Sequence, residues 1–254
     1  SIDASNIQGN IEFNQVRFSY IKNEEVLKGI SFQVQKGQTV AIVGATGAGK
    51  STIINLINRF YEIDNGVISV DNISVKEYEL ASLRNQIAIV LQDVFLFSDS
   101  IYNNITLKNS QITLEEVEEA AKKIGIHHFI MTLPGGYHYN VKERGVMLSS
   151  GQRQLIAFLR AYVSKPRILI LDEATSSVDS HAEKLIQFAT DTITKGRTSI
   201  VIAHRLATIK KADKIIVMNK GVIVEEGTHK ELLKKKDGYY KNLFDKQFNL
   251  ELAS

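Results

Sequence analysis

Apolar and polar residues alternate along the first third of the chain. Ile11 and Phe13, then Val16 and Phe18, fall on one face of a strand running to Tyr20, and the slip at Asn14-Gln15 marks a bulge. Ile30, Phe32 and Val34 alternate with Ser31 and Gln33 before Lys36-Gly37 turns the chain. Two-residue alternation with tight turns predicts antiparallel strands. From Val40 to Val43 the run is continuously apolar, and after Gly44 the apolar residues Ile53, Ile54, Ile57 and Phe60 recur at helical spacing. Asp64-Asn65-Gly66 then reads as a turn into a strand over Val67 to Val70, and Ile87 to Leu91 is a further apolar run.

The character changes from Phe95 to Lys165, which is helical and contains no good strand. Thr113 and Glu116 form a capping box opening a helix to about Ile124, Gly125 stops it, and Gly151 to Val163 is a second helical run before Pro166. Strands resume at Ile168 to Leu171, Ser199 to Ala203 and Ile215 to Met218, and Asn219-Lys220-Gly221 turns into Val222 to Val224. A helix between the first two predicts a parallel βαβ unit, and Ser180/Glu183 and Thr228/Glu231 read as further capping boxes. One α/β domain is expected over 1–254, with a core lobe at about 1–92 and 166–254 interrupted by a helical lobe at about 93–165. No internal repeat or low-complexity segment is visible.

Candidate chemistry sits first where the strand Val40 to Val43 meets its helix. The intervening residues are Gly44, Ala45, Thr46, Gly47, Ala48, Gly49, Lys50, Ser51 and Thr52, the spacing of a phosphate-binding P-loop. Glycines let backbone N–H groups turn inward, and the helix start adds the positive end of its dipole. Lys50 is placed to reach the β- and γ-phosphates, and Ser51 to hold Mg²⁺. The fold class is therefore α/β, a P-loop NTPase core with a mixed sheet, an antiparallel β subdomain and an inserted helical subdomain. A second site follows from Ile168 to Leu171, an apolar strand that ends in Asp172 and Glu173 at the edge where open α/β sheets bind ligands. Asp172 suits Mg²⁺, directly or through a bound water, and Glu173 can orient or deprotonate a water attacking the γ-phosphate. As a local signal the pair also fits an N-cap.

Composition narrows the setting. The 254 residues are 44% hydrophobic and 23% charged, ordinary for a globular chain. No run is long enough to span a bilayer, and Ser1 to Asn10 lacks the features of a signal peptide, so the chain reads as soluble. Opening on Ser rather than Met, it reads as a processed chain or a fragment of something longer. The absence of cysteine excludes disulfides and thiolate metal sites, and a net charge of +3 gives no argument for nucleic acid. Lys234-Lys235-Lys236 reads as a solvated helix face.

The segment Leu148-Ser149-Ser150-Gly151-Gln152-Arg153-Gln154 is a second small-residue helix opening suited to an anion. One chain needs one phosphate cradle; a second points to a neighbouring molecule, with the nucleotide between two chains. At these residues the chain resembles, over nearly its whole length, the nucleotide-binding domain of ATP-binding-cassette (ABC) transporters of the exporter type. The resemblance rests on the P-loop at Gly44 to Thr52, Gln92 after an apolar strand, Leu148 to Gln152, the pair Asp172/Glu173, Asp179 in Ser-Ser-Val-Asp, and His204 after Ser199 to Ala203, in that order. Leu96-Phe97-Ser98 to Asn104-Ile105 and Glu143-Arg144-Gly145 resemble exporter-type segments.

The resemblance implies roles. Tyr20 would stack on adenine, Gln92 would offer its amide oxygen to Mg²⁺ or water, and His204 would sense the γ-phosphate. Ser149, Ser150, Gly151 and Gln152 would act on the partner's ATP, and Asp179 would shape the dimer interface, although an N-cap fits it equally. The Gln92 region and Glu143-Arg144 would meet a transmembrane domain absent from this chain. The implied ligands are ATP and Mg²⁺; the implied partners are a second nucleotide-binding domain, as homodimer or heterodimer, and that membrane domain, at the cytoplasmic face of a membrane and without nucleic acid. One residue departs from the pattern: Ser150 stands where the family has glycine, tolerable if φ is negative and costly if it is positive. A soluble ABC-type ATPase acting on nucleic acid or ribosomes is the alternative, against which stands the lack of long coiled-coil insertions or a duplicated cassette. A GTPase is disfavoured because Asn219-Lys220 is followed by Gly221-Val222, without the guanine-reading Asp.

Overall fold

The computed structural model describes residues 1–173 and 178–247. Ser176 and Ser177 of the Ser-Ser-Val-Asp motif lie outside the described residues. The chain opens with β1 (Ile11–Ile21), β2 (Glu24–Val34) and β3 (Thr39–Gly44), then α1 (Lys50–Ile57), β4 (Asn65–Val70), β5 (Ile73–Ser74), α2 (Leu80–Asn85) and β6 (Ile87–Val90). Helices α3 (Ile101–Thr106), α4 (Leu114–Lys123), α5 (His127–Thr132) and α6 (Ser150–Val163) follow, with no strand between β6 and β7 among the described residues. The remainder is β7 (Ile168–Asp172), α7 (Ser180–Thr194), β8 (Thr198–Ile202), α8 (Leu206–Lys211), β9 (Lys214–Asn219), β10 (Val222–Gly227), α9 (His229–Leu233) and α10 (Tyr239–Gln247).

Two sheets form among the described residues. A four-stranded antiparallel sheet runs β2-β1-β4-β5, and a six-stranded sheet runs β10-β9-β3-β8-β7-β6. The second is mixed: β3 pairs in parallel with both β8 and β9, β7 with β8 and β6, and only β10 joins antiparallel. The alternation slips where expected, between Phe13 and Val16, with Gln15 at φ 50°.

Strand parity sorts the core into two layers. Val40, Ile42, Ile168, Ile170, Ile200 and Ile202 pack on one face with α1 and the antiparallel sheet. Ala41, Val43, Leu169, Leu171 and Val201 face the other way, onto residues of α6, α7 and α8. The strands β3, β7 and β8 are buried on both faces, which is why they read as continuous apolar runs. The helical insertion is built on the sheet's own apolar face, since Leu155, Phe158 and Val117 belong to the same cluster as Leu169 and Leu171.

Three expectations change in detail. Phe60 is not part of the helix: Asn58 caps α1, Arg59 takes φ 56°, and Phe60 lies half exposed beneath the Arg84 guanidinium. The cap of α7 is Asp179, whose Oδ1 accepts from the Ala182 N–H at 2.9 Å, so Ser180 is already helical. The reciprocal capping box belongs instead to Ser149 and Gln152 at the start of α6. The three lysines Lys234 to Lys236 are exposed but follow α9 rather than line it, at the end where cations complement the helix dipole.

Candidate nucleotide site

The carboxyl ends of β3, β8, β7 and β6 meet along one edge, bringing four of the expected residues together. Leaving β3, the backbone passes through Gly44 at φ 153°, Gly47 at φ 82° and Gly49 at φ 99° before α1 begins at Lys50. A Cβ on Gly44 would stand 2.3 Å from the Met218 carbonyl oxygen, and one on Gly49 2.9 Å from Leu27. A Cβ on Gly47 would meet nothing within 4 Å, so that glycine serves backbone conformation on an open face of the loop. Ala45, Thr46, Gly47 and Ser51 are exposed, whereas Ala48 is buried and its carbonyl accepts from the Gly221 N–H at 3.0 Å. The β9–β10 turn thus supports the loop from behind, and the Gly221 carbonyl in turn accepts from the Lys28 N–H of β2 at 2.9 Å.

Lys50 is buried, with Nζ donating to the Gly44 carbonyl at 2.5 Å. Burial pushes its pKa down, opposed by the nearby Asp172 charge. Gln92 Nε2 donates to Asp172 Oδ1 at 3.1 Å across the ends of β6 and β7. Burial raises the Asp172 pKa, while the Gln92 hydrogen bond and Lys50 act against it. With its amide nitrogen bonded to Asp172, Gln92 keeps its amide oxygen as an acceptor that could serve a cation. Together with the Ser51 hydroxyl and the Asp172 carboxylate this is an all-oxygen donor set, which fits a hard cation such as Mg²⁺.

Glu173 lies elsewhere. Only 1% exposed, it accepts at Oε1 from the His204 and Arg205 N–H groups (2.9 and 3.1 Å) and at Oε2 from the Thr208 hydroxyl (2.6 Å), with Arg205 NH1 at 3.8 Å. The His204 imidazole is partly buried beside Lys50 and Arg205. Burial first, then those two cations, push its pKa down to about 4, so the ring is neutral at pH 7.

Tyr20 lies near the end of β1, 45% exposed, with its ring edge-on to Phe18 and Tyr61. Its hydroxyl donates to Thr52 Oγ1 and accepts from Asn55 Nδ2, which ties the ring to α1. The Thr52 hydroxyl oxygen accepts from Tyr20 while its own O–H remains available as a donor.

The segment at the start of α6 is separate. Ser149 and Gln152 cap each other, Ser149 Oγ accepting from the Gln152 N–H at 3.1 Å and Gln152 Oε1 from the Ser149 N–H at 2.9 Å. Ser150 takes the first helical position with no positive φ, so a side chain fits there without strain. Gly151 is needed for close approach: its Cβ would stand 2.6 Å from Val178 and 2.9 Å from Ala182. Among the described residues no hydrogen bond joins this segment to the P-loop.

The bonds that shape this edge join residues distant in sequence, including members of the exporter-type segments. Buried Asn104 holds the Phe97 N–H and carbonyl, and Arg160 donates to the carbonyls of Asn104 and Phe95. These bonds fix the loop after Gln92, leaving Phe95 and Phe97 edge-to-face and about half exposed. Nearby Lys142, Arg144 and Gly145 all have positive φ, and a Cβ on Gly145 would stand 2.9 Å from Leu96. Glu143 and Arg144 are exposed beside Val146 and Met147, which are 66% and 71% exposed. Thr208 and Arg205 are unread residues, because nothing in the linear sequence places them against Glu173.

The ABC transporter family profile matches residues 27–176. The chain belongs to the ABC transporter family. This ABC domain is of the exporter type. It is 49% identical over 245 residues to a Bacillus subtilis (strain 168) protein named as a multidrug export ATP-binding/permease protein, covering 96% of this chain and 42% of that one. A Staphylococcus aureus (strain NCTC 8325) protein of the same description is 50% identical over 241 residues, covering 94% and 42%. The solved structure of a bacterial Atm1-family ABC exporter with ATP bound superposes with a TM-score of 0.87 at 40% identity, covering 97% of this chain and 44% of that one. The chain thus spans less than half the length of the relatives it matches. The relatives are named for export, which does not favour the soluble alternative.

Proposed function

We propose that this ABC domain binds ATP at its P-loop, hydrolyses it within a head-to-tail pair of domains, and drives the export of a substrate by an attached membrane domain. The observation that carries the reading is the convergence of Lys50, Gln92, Asp172 and His204 on one sheet edge, while a second helix opening at Ser149 stands apart and is capped by its own residues. A site completed by a second copy explains why one chain carries both.

In this reading Tyr20 offers its exposed ring face to adenine, and the P-loop N–H groups with Lys50 hold the phosphates. Ser51, Gln92 and Asp172 would hold Mg²⁺, which supplies positive charge against the phosphate oxygens when bound. Neutral His204 donates one N–H to the γ-phosphate, and Glu173 orients and deprotonates the attacking water. From the other chain, Ser149 and the backbone of Ser150 and Gly151 contribute donors, beside Gln152, and Asp179 borders the interface. Exposed Phe95, Phe97, Glu143 and Arg144 would offer the surface for the membrane domain, with this domain at the cytoplasmic face of a membrane; their exposure supports the reading.

Size-exclusion chromatography with light scattering of Glu173→Gln, with and without Mg-ATP, tests this directly. An ATP-dependent dimer from the variant, with hydrolysis by the parent, is expected. A variant that binds ATP and stays monomeric at all concentrations would contradict the sandwich.

A further inference from the structure

Glu173 is the most completely enclosed charged side chain near the nucleotide edge, and strand parity explains why. Leu169 and Leu171 face the layer that holds α6, α7 and α8, and Ile168 and Ile170 face the layer that holds α1. By the same alternation Asp172 turns toward α1 and Lys50, and Glu173 toward α8. The Glu173 N–H donates to the Ile202 carbonyl at 3.0 Å, so the residue continues the β7–β8 ladder and the parity holds through it. The side chain then meets a ready-made seat: the first N–H groups of the segment leading into α8 on Oε1, and the buried Thr208 hydroxyl on Oε2. Arg205 closes it, with NH1 buried and lacking a hydrogen-bond partner while 3.8 Å from Oε2.

A carboxylate that is 1% exposed and bonded at both oxygens cannot take a proton from a water bound at the P-loop. To act there it must leave the seat and swing over the end of β7. We propose that Thr208 is a positioning residue that holds Glu173 in this withdrawn orientation, so that the strength of its hydrogen bond sets how often the base is available. The inference rests on the reading of Glu173 as the water-activating base. The seat also couples the base to His204, which supplies one of the N–H groups on Oε1. Movement of His204 toward a γ-phosphate withdraws that donor and favours release.

The chemistry of the seat fixes the sign of the effect. Thr208→Val keeps the shape and replaces the donor with a methyl group against a carboxylate, which disfavours the withdrawn orientation. A hydrogen bond to a charged acceptor is strong enough to shift such an equilibrium by about tenfold. Thr208→Ser retains the hydroxyl.

The experiment compares steady-state ATP hydrolysis by the parent, Thr208→Val, Thr208→Ser and Glu173→Gln, alongside amide hydrogen exchange at His204 and Arg205. The expected result is a kcat for Thr208→Val raised by about three- to tenfold with KM unchanged, parental values for Thr208→Ser, and faster exchange at both amides in Thr208→Val. A kcat lowered in Thr208→Val would overturn the proposal, since removing the hydroxyl would then not release the base. Parental kcat and parental exchange in Thr208→Val would overturn the proposal while leaving the base intact, provided Glu173→Gln is inactive. Turnover by Glu173→Gln equal to the parent would instead remove the reading of Glu173 as base, and the role of Thr208 with it.

Discussion

Asp172 and Glu173 are neighbours in the chain and leave β7 on opposite faces of the central sheet, one joined to Gln92 and the other to Thr208. Two carboxylates at one strand end can thus serve different steps. Asp172→Asn is expected to weaken the Mg²⁺ dependence of nucleotide binding, whereas Glu173→Gln leaves binding intact and lowers turnover by roughly 10²- to 10⁴-fold. Nucleotide titrations with and without Mg²⁺, beside turnover assays, separate the two; equal effects of both variants on binding would contradict the division.

Gly221 is wedged between β2 and the P-loop. It has φ 81°, and a Cβ there would stand 2.3 Å from the Val26 carbonyl oxygen. Gly221→Ala is expected to cost about 2 kcal/mol of stability through that overlap and the positive φ. Because its N–H supports the Ala48 carbonyl, nucleotide affinity should fall as well. Denaturant titration and equilibrium binding check the two effects on one preparation.

Ser150 occupies a helical position, so restoring glycine relieves no strain. Ser150→Gly is expected to leave stability within about 0.5 kcal/mol of the parent. A hydrolysis rate close to the parental one in the same variant would show that the altered residue does not weaken the segment. A large gain in rate would show that the Ser150 side chain obstructs the site.

Loss of the cap at α6 is a different matter. Ser149→Ala removes the acceptor for the Gln152 N–H and should cost about 1 kcal/mol. Gln152→Ala, which frees the Ser149 N–H, should cost less because that N–H is exposed to water. Thermal unfolding of both variants orders them.

His204 gives a pH signature. Its pKa is about 4 when folded against 6.5 ordinarily, so between those values the unfolded chain binds a proton that the folded chain does not. Stability from this group is therefore fully present above about pH 6.5, is lost as pH falls toward 4, and changes no further below it. The urea midpoint of the parent should drop between pH 7 and pH 5 by more than that of His204→Gln. An identical drop in both would place the pH dependence elsewhere.

Much of the fold was legible because its signals are local. The P-loop glycines, the buried runs of β3, β7 and β8, and the cap-and-stop signals around α4 each appear within a few residues of sequence. Phe60 misled because helical spacing continued past the point where Asn58 and Arg59 break the helix. Asp179 competed with Ser180 for one cap, and the residue earlier by one position took it. The sequence offers candidate site residues but not their arrangement. The seat of Glu173 on Thr208 and Arg205, the prop from Gly221 and the Asn104–Arg160 brace all join segments distant in sequence, which no periodicity records.

In a shared site the helix opening at Ser149 serves the P-loop of another copy, and mixing two inactive variants, Lys50→Ala and Ser149→Arg, decides whether it does. If the sites are shared, the mixed pair contains one complete site, formed by the intact P-loop of the Ser149→Arg chain and the intact Ser149 segment of the Lys50→Ala chain, and ATP hydrolysis reappears. If each chain works alone, both variants stay inactive in the mixture at every ratio, and the account of a shared site is contradicted.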